Sequence, residues 1–258
     1  MNQFLKLGVA AAFFASASVA LAGPSEAPVA EKRNVDASVQ RVKLDGIIDL
    51  KLKQGAVATL VVIGEKGLLI KTTTEQQGDT LTIGMETVKG IKFGNNKKGV
   101  RAELTLPMLR EVSSESVGTT EVSGFSGDDL ALVLDGAGSM KVNCNYKTIH
   151  ATLGGVGHMS IQGANTEGID LNLRGAGYVT LKGHSKWLKA SLGGLGGLDA
   201  QHFHVENVNL DLSGLGNASV SARQSANLSL SGLGSVTVYG KPANRSVSVD
   251  GLGKVNWK

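Results

Sequence analysis

Gly136-Ala137-Gly138-Ser139-Met140-Lys141-Val142 reads as glycine, apolar residue, glycine, then alternating apolar and polar positions. The pattern returns as Gly155-Val156-Gly157-His158-Met159-Ser160-Ile161 and as Gly175-Ala176-Gly177-Tyr178-Val179-Thr180-Leu181. Four more copies carry the pairs Gly194 and Gly196, Gly214 and Gly216, Gly232 and Gly234, and Gly251 and Gly253. The copies start 18 to 20 residues apart. A fixed period of that length is the mark of stacked structural units. A degenerate earlier copy, Ser116-Val117-Gly118-Thr119-Thr120-Glu121-Val122, precedes them.

Counting each copy from its first glycine as zero turns the sequence into columns. Position −2 is Leu134, Leu153, Leu173, Leu192, Leu212, Leu230 and Val249. Positions −4, +4 and +6 are equally apolar, and the residues between them are mostly Ser, Thr, Asn, Asp, Lys and Arg. Period-2 alternation on both sides of the glycines predicts two short strands per copy with the even positions inward. The apolar residue at +1 breaks that parity. It is expected to face the interior too, at a bend for which the flanking glycines supply backbone freedom. A copy of this length is too long for one straight strand and fits one turn of a coil with short sides. Stacked in parallel, such coils place like side chains above one another. The expected fold is all-β, a right-handed parallel β-helix with coils of about 19 residues. A β-sandwich or prism of antiparallel hairpins would not need this constant register. A leucine-rich repeat would need its own Leu/Asn consensus and a helical side.

Upstream, residues 39–108 alternate less regularly and are expected to form irregular N-terminal strands of the same domain as the coils of 109–258. Ile48, Leu50 and Leu52 interleave with Asp49, Lys51 and Lys53, ahead of Gln54-Gly55. Further strands are expected over Leu60 to Ile63, Leu68 to Thr72, Leu81 to Ile83 and Leu104 to Leu106. Turns are expected at Gly64-Glu65-Lys66-Gly67, Gln77-Gly78-Asp79 and Gly94-Asn95-Asn96. Pro107 closes the last strand because it cannot donate to a ladder. No amphipathic helix is expected. Residues 23–38 read as a flexible leader. Residues 1–22, with Lys6, an apolar run and Ala20-Leu21-Ala22, read as a secretory signal peptide. No later stretch is apolar enough to span a bilayer as a helix. The single cysteine, Cys144, excludes an intrachain disulfide. A net charge of +4 does not specify a nucleic-acid partner, and none is expected.

Chemistry-bearing residues form no compact constellation. His202-Phe203-His204 puts two imidazoles on one strand face near Asp199, a weak metal-ligand candidate set against ordinary surface histidines. Asp135, Arg174 and Asp250 share position −1, while Asn172 and Asp211 share −3. Polysaccharide-cleaving β-helices gather carboxylates on one such face, but Asp135 and Asp250 lie six coils apart, roughly 29 Å. Lys89, Lys92, Lys97, Lys98 and Arg101 form a basic segment that could meet anions or simply be a solvated loop. Cys144 falls in a column of small residues. The glycine pairs open no helix and are not a nucleotide fingerprint. No catalytic residue and no cofactor is expected.

Several of these segments together resemble a known family. They are Gly46-Ile47-Ile48-Asp49-Leu50 with Gln54-Gly55, Gly78-Asp79-Thr80-Leu81-Thr82-Ile83, Leu104-Thr105-Leu106-Pro107 with Leu109, and the serial Gly-x-Gly coils. In these the chain resembles the autotransporter adhesin head domain called the GIN domain, over roughly residues 40–258. The resemblance implies a right-handed β-helix and an envelope or surface location. With no membrane β-barrel segment after the coils, the expectation is an exported protein of the periplasm or the extracellular space.

The leading functional expectation is a non-enzymatic, adhesin-like β-helix that contacts a glycan or envelope component. Two alternatives stay open: a carbohydrate-active lyase or hydrolase, and a structural scaffold that self-associates through its last coil. The second rests on Val255 and Trp257, inward-column residues with no capping segment after them.

Overall fold

The computed structural model describes residues 27–86 and 99–258. The expected signal peptide and the expected Gly94-Asn95-Asn96 turn lie outside the described residues. Strands β1 (Val29–Arg33), β2 (Arg41–Leu44), β3 (Ile48–Gln54) and β4 (Thr59–Gly64) lead to a single helical turn, α1 (Lys66–Leu69). Strands β5 (Thr72–Gln77), β6 (Thr80–Met85), β7 (Val100–Leu106) and β8 (Glu111–Ser114) follow. This part mixes directions. β5 and β6 form a hairpin turned at Gly78, and β4 runs antiparallel to both β1 and β7. β2 and β3 already lie parallel to the coils, pairing with β8 and with the following strand, β9 (Val117–Leu134).

Two expectations for this region change. The stretch Leu68 to Thr72 is not a strand, because Leu68 and Leu69 are adjacent and both buried. One face of a strand cannot hold neighbours, whereas a helical turn can. The turn closes through the Leu68 and Leu69 amides donating to the Glu65 carbonyl, and the Thr72 hydroxyl donates to the Leu68 carbonyl. Within the expected leader, residues 29–33 form β1 and pair with β4. Arg33 fixes it by donating to the carbonyls of Leu69 and Thr72, at 3.0 and 2.9 Å.

The remaining chain is a parallel β-helix. After β9 come β10 (Ala137–Leu153), β11 (Val156–Leu173), β12 (Ala176–Leu192), β13 (Leu195–Leu212) and β14 (Leu215–Leu230). Each is a bent strand that travels a whole coil. β15 (Leu233–Tyr239), β16 (Asn244–Val249) and β17 (Lys254–Trp257) complete the stack. All neighbours pair in parallel, and the register is the one the columns predict: Gly118 beside Gly138, Gly138 beside Gly157, Gly157 beside Gly177, onward to Gly216 beside Gly234. The inward leucines Leu134, Leu153, Leu173, Leu192, Leu212 and Leu230 are each at most 2 % exposed. They form one ladder of a single core. A third side adds Phe125, Tyr146 and Phe203, all buried, and the Tyr146 hydroxyl donates to the Leu109 carbonyl at 2.6 Å. Differences in copy length are absorbed on that side, where the pairing shifts at Cys144 to Thr148, Gly163 to Thr166 and Thr180 to Gly183. Bulges there leave the glycine register unbroken.

The corner itself differs from expectation. The +1 residues face solvent: Val117, Val156, Leu195, Leu215 and Leu233 are between 49 and 60 % exposed. Parity is never broken. Even positions point inward in every coil but the last, where Val247 and Val249 are 44 and 45 % exposed, and at 0 and +2 the inward side of a tight corner has no room for a side chain. A Cβ on Gly175 would be driven into the Gly155 carbonyl oxygen, which accepts the Ala176 amide. A Cβ on Gly196 would be driven into the Gly177 carbonyl. The glycines are therefore demanded by the coil beneath them, and the residue between them is left outside.

Cys144 is buried and free. Burial pushes its thiol up from the usual 9.0 to about 12. The neutral form is favoured in the fold, so stability is full below pH 9 and falls as the unfolded chain alone ionises between 9 and about 12. The expected result is no reaction with iodoacetamide at pH 8 until urea unfolds the protein. Cys144→Ala should show a shallower loss of stability across that alkaline window.

Candidate functional site

The unbroken glycine register aligns the +1 residues into a straight row. Val117, Ala137, Val156, Ala176, Leu195, Leu215, Leu233 and Leu252 each stand one coil apart, all exposed. At the usual spacing of parallel strands the rungs repeat about every 4.8 Å. The row is graded. Its first half carries Val and Ala, its second half Leu, and Leu252 is 83 % exposed. Single exposed apolar residues need no explanation, whereas an ordered line of them is a candidate contact surface.

The two flanks differ. On the −1 side the column reads Asp135, Gly154, Arg174, Gly193, Ser213, Ser231 and Asp250, all exposed. Where its side chains are absent, a shallow groove of about 460 Å³ opens along the corner. Gly175, Gly194 and Gly214 line it together with Leu195, Leu215 and Ala176, as do Arg174 and Ser213. On the +3 side the side chains bond along the stack. Ser139 donates to Thr119 at 3.3 Å, Ser235 donates to Asn217 at 2.8 Å, and the His158 and Tyr178 rings stack with centroids 6.1 Å apart. Such ladders hold this flank rigid.

The residues singled out by sequence fall elsewhere. His202 and His204 are exposed on β13. The His204 ring lies 5.4 Å from that of His184 one coil earlier, and its Nδ1 shares a hydrogen bond with the Ser221 hydroxyl. Asp199 accepts from the Gln201 amide at 3.1 Å. Among the described residues, no three His, Cys, Asp or Glu side chains converge to hold a metal ion. Lys89, Lys92, Lys97 and Lys98 lie outside the described residues. Arg101 sits opposite Asp49 on β7, in a polar groove of about 410 Å³ on the outer sheet. Glu103, Lys51, Glu121 and Lys141 stand there on successive paired strands with alternating sign. Asp49 accepts from the Thr119 amide at 2.7 Å. This alternation neutralises the groove and gives it no net field for an anion. No helix among the described residues is long and apolar enough to cross a membrane.

A family model described as "Putative auto-transporter adhesin, head GIN domain" matches residues 38–242. No curated protein matches significantly. The fold recurs in crystal structures of a putative adhesin from Parabacteroides merdae and a putative lipid binding protein from Parabacteroides distasonis. The first is 19 % identical with a TM-score of 0.71, covering 90 % of this chain and 96 % of that one. The second is 18 % identical with a TM-score of 0.75, covering 89 % and 96 %. A putative adhesin from Bacteroides fragilis is 19 % identical with a TM-score of 0.66, covering 91 % and 99 %. Identities this low speak for the fold alone.

Proposed function

The chain belongs to the auto-transporter adhesin head GIN-domain family, and from that premise we propose that it is an exported, non-catalytic adhesion module whose contact surface is the apolar corner row. The observation that carries this reading is the row's exposure: Leu195, Leu215 and Leu233 stay about half exposed in a fold with ample inward positions for leucine. One weak contact per coil, repeated at fixed spacing on a rigid rod, gives useful avidity for an extended surface. The partner class is an envelope component presenting apolar or amphipathic ridges, such as a surface protein or acylated glycan.

The test is binding of purified residues 27–258 to isolated cell envelopes, beside Leu195→Asp/Leu233→Asp. Saturable binding by the parent, weakened at least about tenfold in the variant, is the expected result. Equal binding by both proteins would remove the row from the contact. Release of soluble fragments from envelope polysaccharide would replace the reading with an enzyme.

A further inference from the structure

The leucine half of the row and its charged flank also fit a second copy of this chain. We propose that the leucine half of the corner row pairs with the same half of a second copy, running antiparallel, with Arg174 of each copy facing Asp250 of the other. The proposal rests on the adhesion reading only in treating this row as a contact surface. It adds that the contact can be between like molecules.

Charge comes first. Arg174 is the one cation in the −1 column, and Gly154 and Gly193 on either side of it have no side chain to answer it. Its Nε donates to Asn172 at 3.2 Å within its own coil. Among the described residues neither Arg174 nor Asp250 forms an ion pair. A two-fold axis perpendicular to both the rod and the direction in which the corner points brings the −1 columns of two copies to the same side. The −1 column steps from Arg174 through Gly193, Ser213 and Ser231 to Asp250. Arg174 and Asp250 thus stand equally far, two coils, from Ser213. An axis through that coil matches the two charges twice.

Shape agrees with charge. The same axis places Leu215 against Leu215 of the second copy, Leu195 against Leu233, and Ala176 against Leu252. Leu252 is the most exposed apolar residue of the row, and Ala176 is a small one beside the groove of about 460 Å³. The protruding leucine thus meets the recess. The other register that pairs Arg174, with Asp135 and an axis at Val156, sets Ala137 against Ala176 and leaves Leu215, Leu233 and Leu252 uncovered. A negatively charged bilayer is a poorer occupant, because Asp135, Asp211 and Asp250 flank the row. Five rungs per copy place the contact at the small end of specific interfaces, so the pairing is weak and depends on concentration.

Sedimentation equilibrium on residues 27–258 tests this. The expected result is a reversible monomer–dimer equilibrium, weakened at least about tenfold by Arg174→Glu or by Asp250→Arg, since each places two like-charge contacts in the dimer. The double variant Arg174→Glu/Asp250→Arg restores both pairs with reversed sign and should recover dimerisation to within about threefold of the parent. A short bismaleimide should link Leu215→Cys to itself and leave Val156→Cys monomeric. Strict monomers at millimolar concentration would overturn the proposal, as would a double variant no better than the singles, or linkage through Val156→Cys. Envelope binding that persists in a strictly monomeric protein would sink self-pairing alone and leave the adhesion reading standing. All substituted positions are exposed, and far-UV circular dichroism checks that each variant folds.

Discussion

Gly196→Ala is expected to cost at least about 3 kcal/mol of stability, a large fraction of what a typical domain has in total. Two causes act together. Gly196 has φ of 144°, a conformation that side chains rarely adopt. Its Cβ would also be driven into the Gly177 carbonyl oxygen of the coil beneath. That oxygen is backbone inside a continuous ladder, so it cannot rotate away as a side chain would. Relief requires the coils to separate at the corner, which lengthens their hydrogen bonds. Leu195→Ala, one residue earlier, changes side-chain volume far more yet should change stability by no more than about 0.5 kcal/mol, because Leu195 is 56 % exposed. Urea unfolding of the two variants beside the parent gives the comparison. A corner that tolerated Gly196→Ala would mean that the glycines serve flexibility and not stacking.

Leu210→Ala should cost about 3–5 kcal/mol, in the upper part of the range for buried leucines. Leu210 is fully buried in the −4 ladder, between Ala190 on one coil and Leu228 on the next. Ala190 has nothing to extend into the space left behind, so the cavity stays open. In a stack where each coil contacts mainly its neighbours, the damage should be greatest in the adjoining coils. Hydrogen exchange should therefore speed up most at amides of β12 to β14 and least near β3 and β7. Leu215→Ala, an outward leucine, is the control expected to do almost nothing to either measurement.

The contrast between Leu210 and Leu215 also shows what the sequence reveals and what it conceals. The columns led to the pairing register of β9 through β17 because stacked coils must place like residues together, and a fixed period is visible without coordinates. The +1 residue faces outward because strand parity, and not its hydrophobicity, sets its direction. Leu195 and Leu215 sit at odd positions, and alternation continues through the corner undisturbed. The outward row was therefore legible in principle, as apolar residues at odd positions between two sterically required glycines. The N-terminal part was less legible. Nothing in Val29–Arg33 alternates, since β1 is an exposed strand held by backbone pairing and by Arg33. Phe125, Tyr146 and Phe203 escaped the columns because the third side of each coil carries the bulges that absorb unequal copy lengths. His202 and His204 drew attention by spacing alone, and their neighbours turn out to be Ser221 and His184 instead of ligands for a metal.

Everything proposed for this protein depends on which way the residue between the paired glycines points. Thiol labelling reads that directly. Val156→Cys and Met159→Cys lie three residues apart in one coil, the native residues being 60 % and 0 % exposed, and buried Cys144 supplies an internal protected reference. In the folded protein at micromolar concentration, maleimide should modify Val156→Cys about as fast as it modifies the urea-unfolded chain. Met159→Cys should react at least about a hundredfold more slowly, through local opening alone. A protected Val156→Cys with a reactive Met159→Cys, or equal protection of both, would contradict the outward corner and with it the contact row.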